Sequence, residues 1–245
     1  MAHFRDILPF SAWPLYLMWH YTQTKPFSCR LLGGPEISIR PDPSHDYQTA
    51  CEIFSDRIYD CDLDPGSVRH IVDLGGNVGY SCLFWCEKYL NASVLTFEPH
   101  PTHCRLIEWH LDKNGYANRV KLVAAAAGVR AGVANLTDED DGSAIVQDRL
   151  AGSMRVQVVD VFQAVPDAPI DVLKMDIEGS EYPILADPRF EALAARTERV
   201  LLEWHARGEQ GEAFCRDRLA SLGFIVRSGR ACGSQWGMLF GTRVR

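Results

Sequence analysis

Beyond residue 68, short apolar runs of strand length alternate with longer segments of helical period. Arg69 to Leu74 reads as a buried strand and Val78 to Tyr89 as a helix, then Ala92 to Phe97 and Pro101 to Asn114 repeat the pair. Val120 to Ala125 makes a third strand. Gly128 to Leu136 and Met154 to Val159 alternate like hairpin strands around the polar loop Thr137 to Gly142. Ile170 to Met175 is a fourth strand, followed by helices from Ser180 to Ala186 and from Phe190 to Ala195, and Val200 to Trp204 is a fifth strand. A helix over Glu209 to Leu222 leads to Phe224–Val226 and Trp236–Phe240, whose short link predicts an antiparallel pair at a sheet edge. This order predicts a doubly wound α/β fold, a mostly parallel sheet with helices on both faces.

The first 45 residues lie outside that rhythm. They are rich in aromatics (Phe4, Phe10, Trp13, Tyr16, Trp19, Tyr21, Phe27), with a short alternating strand at Ile37 to Arg40, and read as an extension or cap ahead of a domain over 46–245. At their spacings the aromatics suit a stacking face for a ligand, a packing surface or a homodimer interface. Asp46 to Tyr59 has near-helical apolar spacing, and a Pro65-Gly66 turn leads into the main domain. The apolar stretch Ile7 to Trp19 is too short for a bilayer and carries Pro9 and Pro14, which argues against an anchor or a signal peptide. A net charge of -7 without a clustered basic run argues against a nucleic-acid partner. The eight cysteines are scattered without a CxxC pair and read as reduced thiols of a cytoplasmic protein.

The sharpest local signal is Ile71-Val72-Asp73-Leu74-Gly75-Gly76-Asn77-Val78-Gly79, an apolar strand ending in an acid and turning through glycines into a helix. Gly75 and Gly76 permit a tight turn and close approach of backbone to a ligand, and Gly79 close packing of helix on strand. Glu98, nineteen residues after Gly79 in Phe97-Glu98-Pro99, stands at the next strand end, where a carboxylate accepts hydrogen bonds from both ribose hydroxyls of an adenosine ligand. A dinucleotide fingerprint would place glycine at Asn77, which weakens a nicotinamide cofactor. Asp73 instead suits the ammonium and sulfonium of S-adenosylmethionine (SAM), or caps the loop's own N–H groups. Ser143, in Asp141-Gly142-Ser143 after the third strand, is a candidate for the adenine edge.

Methyl transfer from a sulfonium needs in-line alignment and a base for the acceptor proton. Strand four ends Lys174-Met175-Asp176-Ile177-Glu178, and alternation puts its three charged residues on one side. Asp176 is the expected base or acceptor-orienting carboxylate, with Lys174 as counter-ion and Glu178 as second acid; the bland alternative is a strand-end ion pair. Glu203 and His205 end strand five beside them, and His205 could itself take the proton. A divalent ion on Asp176 and Glu178 is a further variant, but no metal is expected. His100, His103, Cys104 and His110 look metal-like, yet fit a solvated helix with scattered imidazoles better.

Val72-Asp73-Leu74-Gly75-Gly76-Asn77-Val78-Gly79, Phe97-Glu98-Pro99 and, most specifically, Leu173-Lys174-Met175-Asp176-Ile177-Glu178-Gly179-Ser180-Glu181 resemble the FkbM family of SAM-dependent O-methyltransferases. Ile39-Arg40, Asp46 and Glu52-Ile53-Phe54 through Tyr59 resemble its lead-in, so the likeness runs from about Ile37 to His205. The resemblance implies a Rossmann-like class I methyltransferase sheet of seven strands and, as partner, a small-molecule acceptor with a hydroxyl on a sugar, polyketide or other secondary metabolite. A NAD(P)-dependent oxidoreductase and a catalytically silent SAM-binding module are the competing readings.

Overall fold

The computed structural model describes residues 7–137, 145–146, 153–208 and 210–244. After a 3-10 turn come helix α1 (Trp13–Thr22), strands β1 (Phe27–Arg30) and β2 (Glu36–Ile39), and helix α2 (Asp46–Ala50), which runs into a π-helical turn over Cys51–Ser55. The βα rhythm follows as β3 (His70–Leu74), α3 (Tyr80–Lys88), β4 (Ser93–Phe97), α4 (Pro101–Asn114) and β5 (Val120–Val123). Then come β6 (Ala126–Gly128), β7 (Gly132–Leu136), β8 (Ile145–Val146), β9 (Met154–Asp160) and α5 (Val161–Ala164). The rest is β10 (Ile170–Met175), α6 (Glu181–Ala186), α7 (Phe190–Ala195), β11 (Thr197–His205), α8 (Glu212–Ser221), β12 (Phe224–Cys232) and β13 (Trp236–Arg243).

The main sheet has seven strands in the order β12-β13-β11-β10-β3-β4-β5, as the resemblance implied. The pairs around β3 and β10 are parallel, whereas β13 runs antiparallel to both β11 and β12, so the terminal hairpin closes the edge as expected. Alternation along the strands sorts their side chains into two cores. Ile71, Val94, Val172 and Leu201 face α3, α4 and the leading segment. Val72, Leu74, Leu173, Met175 and Leu202 face α6, α7 and α8. β7 and β9 do pair antiparallel, in a small separate sheet that the apolar pattern did not separate from the main one.

Local chemistry sets the element ends. In α4, Pro101 occupies the first turn and His100 Nδ1 accepts from the Thr102 N–H at 3.1 Å; Gly115, at φ +73°, ends the helix in the left-handed region. The leading segment is no loose appendage, because Tyr16, Trp19 and Phe27 are buried in the same core as Tyr80 and Trp85. Phe10, Leu15, Met18 and Tyr21 remain exposed. β2, whose partner β1 was not expected, is fastened to the main domain by three polar side chains. Tyr80 donates to the Ser38 carbonyl at 2.6 Å, and Asn114 pairs with both backbone groups of Glu36 at 2.7 and 2.8 Å. His110 Nε2 accepts from the Ser38 N–H at 2.9 Å while Nδ1 meets the Val78 carbonyl at 2.8 Å.

The histidines therefore depart from the expected solvated helix: His100 and His110 are buried, the first as the cap of α4 and the second because β2 lies across the helix. All eight cysteines are free, as expected, though Cys232 is exposed. Among the described residues no helix is long and apolar enough to cross a membrane.

Burial holds His110 neutral and pushes its pKa below the ordinary histidine value of 6.5. An unfolded chain binds a proton there as pH falls through about 6.5, whereas the folded chain does not, so His110's share of stability is present above that pH and lost below it. Thermal unfolding from pH 7.5 to pH 5.5 should therefore show a steeper loss of melting temperature for the native chain than for His110→Gln. Equal slopes would remove His110 from the acid response.

Candidate active site

At the carboxyl ends of β10, β3 and β4 an open cleft of about 970 Å³ runs across the sheet. Of the residues expected at the site, Gly75, Asn77, Glu98, Pro99, Asp176, Glu178, Glu203 and His205 line it. Since β3 lies between β4 and β10, Glu98 and Asp176 face the cleft from either side of the glycine turn.

Glu98 is pinned by the backbone around it. Its Oε2 accepts from the Asn77 N–H and its Oε1 from the His100 N–H, both at 2.8 Å, and His103 Nδ1 lies 3.4 Å from Oε1. Each oxygen keeps a lone pair for a ligand. Asn77 itself holds φ +47°, a left-handed conformation that asparagine tolerates better than most residues and that aims its N–H at Glu98.

Asp73 corrects one expectation. It is fully buried behind the turn, where Ser81 Oγ donates to Oδ2 at 2.6 Å and Lys174 Nζ lies 3.1 Å from Oδ1, so it faces no ligand cation. Lys174 is likewise enclosed and does not reach the cleft: its Nζ donates to the Gly75 carbonyl at 2.6 Å and stands 3.5 Å from Asp176 Oδ2. Burial disfavours its charge, but the carboxylates of Asp73 and Asp176 outweigh that and hold the ammonium above its ordinary pKa. Lys174 is a positioning residue as well as the expected counter-ion.

Of the three glycines of the turn, one meets the tip of β10 and two pack behind the cleft. A Cβ on Gly75, at φ +92°, would come within 1.8 Å of the Asp176 carbonyl oxygen, so this glycine lets the turn touch the tip of β10. Gly76 packs on Thr96 and Gly79 on Ile107 of α4, behind the cleft wall, so their contacts are with the protein itself, and Gly79 serves helix–helix rather than helix–strand packing. Ser143 lies outside the described residues.

Past Met175 the chain leaves strand geometry, with Glu178 at φ +52° and Gly179 at φ +86°. That kink turns the Glu178 carboxylate away from Lys174 and toward β11, where its Oε2 meets His205 Nε2 at 3.2 Å. Glu203 Oε1 lies 3.7 Å from the same nitrogen, and the buried Glu181 lies 3.6 Å from Nδ1. Burial and the neighbouring Asp176 push Glu178 up to about 7 and also raise Glu203. Burial opposes charge on His205, yet Glu181, Glu178 and Asp176 raise it to about 9. The ligand atoms of Asp176, Glu178 and His205 all lie within 4.8 Å of one another.

Residues 73–234 match the methyltransferase FkbM domain. The chain belongs to the FkbM methyltransferase family. Methyltransferase sdnD of Sordaria araneosa is 28% identical over 218 residues, covering 74% of this chain and 82% of the relative. Methyltransferase 1 of Beauveria bassiana (strain ARSEF 2860) is 30% identical over 159 residues, covering 55% of this chain and 64% of the relative. The crystal structure of methyltransferase FkbM from Methylobacillus flagellatus KT superposes with a TM-score of 0.56 at 16% identity, a likeness of fold. It spans 82% of this chain and half (50%) of that one.

The methyltransferase site also uses residues that the sequence reading did not single out. Tyr59 donates to Asp176 Oδ2 at 2.9 Å, stacks on Trp85 and lies under the Lys174 ammonium. Ser44, His45, Gln48 and Thr49 from the lead-in, with Gln235 from the β12–β13 turn and Trp236 at the start of β13, form the outer wall. Arg40 fixes that lead-in by a two-pronged pair with the buried Asp46, its Nε and Nη2 donating at 2.9 and 2.8 Å. Of these, Arg40, Asp46 and Tyr59 were marked in the sequence, through the family lead-in.

Lys174→Met should destabilise the methyltransferase by about 3–5 kcal/mol in denaturant unfolding, because it strands the Asp73 carboxylate in the core. Adding Asp73→Asn to it should recover part of that loss; no recovery would show that the two charges are not coupled.

Proposed function

We propose that the chain transfers a methyl group from SAM to a hydroxyl of a small-molecule acceptor, on a sugar, polyketide or other secondary metabolite. The observation that carries this reading is the convergence of Glu98 and Asp176 on one cleft across the glycine turn. SAM supplies an activated methyl on its sulfonium. Glu98 offers its free lone pairs to the ribose hydroxyls, and Phe97, Ala126, Ala127 and Leu136 line an apolar slot beside it that suits adenine.

On the other side of the turn, Tyr59 and Lys174 hold Asp176 toward the acceptor. As the acceptor oxygen bonds to the methyl carbon and the carbon–sulfur pair returns to sulfur, Asp176 takes the hydroxyl proton. His205 is the weaker choice for that role, since its carboxylate neighbours keep it protonated at neutral pH. Alignment is worth several kcal/mol and a placed base about 10²–10⁴-fold in rate. The outer wall combines the hydrogen-bonding groups of His45, Gln48 and Thr49 with the aromatic face of Trp236, which suits an acceptor bearing several hydroxyls.

Calorimetry separates this reading from a nicotinamide enzyme: S-adenosylhomocysteine should bind at micromolar concentration and NADH should not, and the reverse would overturn it. Glu98→Ala should weaken that binding by about 1–3 kcal/mol, the cost of unpaired ribose hydroxyls; an unchanged dissociation constant would take Glu98 out of the site. Asp176→Ala should abolish methyl transfer while S-adenosylhomocysteine affinity stays within about tenfold, and surviving activity would remove Asp176 as the base.

A further inference from the structure

The floor between β10 and β11 gathers several carboxylates around a single imidazole. Asp176, Glu178 and Glu203 line it, and Glu181 lies behind them. Lys174 is shared between Asp73 and Asp176, while Arg207 donates at 2.7 Å to the backbone carbonyl of Glu178 rather than to a carboxylate.

The geometry there is that of a ligand set. His205 Nε2 and Glu178 Oε2 stand 3.2 Å apart, near the separation of about 3 Å expected of adjacent ligands held at about 2.1 Å from one ion. An Asp176 oxygen completes a group of three within 4.8 Å, which a small turn of each side chain would close. The Glu178 backbone at φ +52° keeps its carboxylate on this side despite the strain.

A separate observation comes from behind the imidazole. Glu181 is fully buried, with Oε1 accepting from the Ile177 N–H at 2.9 Å and Oε2 without a hydrogen-bond partner among the described residues. Its carboxylate faces His205 Nδ1 at 3.6 Å, and Nδ1 is also unpartnered by hydrogen bonds among the described residues. An ion at Nε2 displaces the proton that His205 carries there at neutral pH, and the Glu181 carboxylate on the far nitrogen keeps the remaining proton on Nδ1, as the outer carboxylates of metal-bound histidines do.

We propose that Asp176, Glu178 and His205 Nε2 form a divalent-cation site, with Glu181 as the positioning residue behind His205. Two carboxylates and one imidazole suit Mn²⁺, Fe²⁺ or Zn²⁺. The cation would hold and polarise the acceptor oxygen; that role rests on the methyl-transfer reading of the cleft, whereas binding of the ion does not.

Mn²⁺ alone is the probe. Titrated into the full-length, chelator-treated protein and followed by the electron paramagnetic resonance of the free ion, it should bind at one ion per chain. Affinity should fall about tenfold or more in Glu178→Gln and in Glu181→Gln. Circular dichroism checks that the variants fold; the native protein supplies a second measurement, since bound Mn²⁺ should show hyperfine coupling to one imidazole nitrogen that is lost in His205→Ala. Absence of binding, binding without nitrogen coupling, or equal affinity in folded Glu178→Gln overturns the site. Methyl transfer undiminished in chelator, with no Mn²⁺ bound, overturns the site and leaves the methyl-transfer reading standing. Mn²⁺ bound as described with no methyl passed to any hydroxyl does the opposite.

Discussion

The buried ammonium of Lys174 is the contact on which the site depends. It ties together two stretches of chain through three groups: the Asp73 carboxylate near the end of β3, the carbonyl of Gly75 in the turn that follows, and Asp176 at the tip of β10. The Asp73 carboxylate would resist burial and repel Asp176 at the cleft beside it, and a single cation between them makes the arrangement tolerable. Because Lys174 also holds the Gly75 carbonyl, the cleft wall at Gly75 and Asn77 and the Asp176 carboxylate beside it are set by one charge.

Most of the fold was readable from the chain because its signals are local. The turn at Gly75-Gly76, the Pro101 start and Gly115 stop of α4 and the period-two strands each announce themselves within a few residues. The convergence of Glu98 and Asp176 followed from the same rhythm, since strand ends on one side of a parallel sheet share a crevice. What the chain hid was direction. Asp73 and Asp176 are both strand-end acids, but one turns inward to Lys174 and the other outward to the cleft, a difference decided by Ser81, Tyr59 and Lys174 acting together across more than 90 residues.

Glu181 illustrates the same limit. As the first residue of α6 it reads as a helix-start acid, and its Oε1 does accept the Ile177 N–H. Only the packing of β11 against β10 brings His205 beside it. The histidines on α4 failed for the complementary reason: their helix looks amphipathic, but β2 and its leading segment cover the face that carries His110.

The cleft draws its two walls from parts of the chain with different structural duties. The wall proposed for the adenosyl group is made by turns of the central sheet, where Gly75 admits no side chain and Glu98 is locked by backbone N–H groups. The opposite side comes from the 40–49 stretch and the Gln235-Trp236 pair, neither of which carries a strand of the parallel core. Gln48 and Thr49 belong to no strand, so substitutions there would reshape this wall, and with it the acceptor proposed for it, while the sheet keeps its packing.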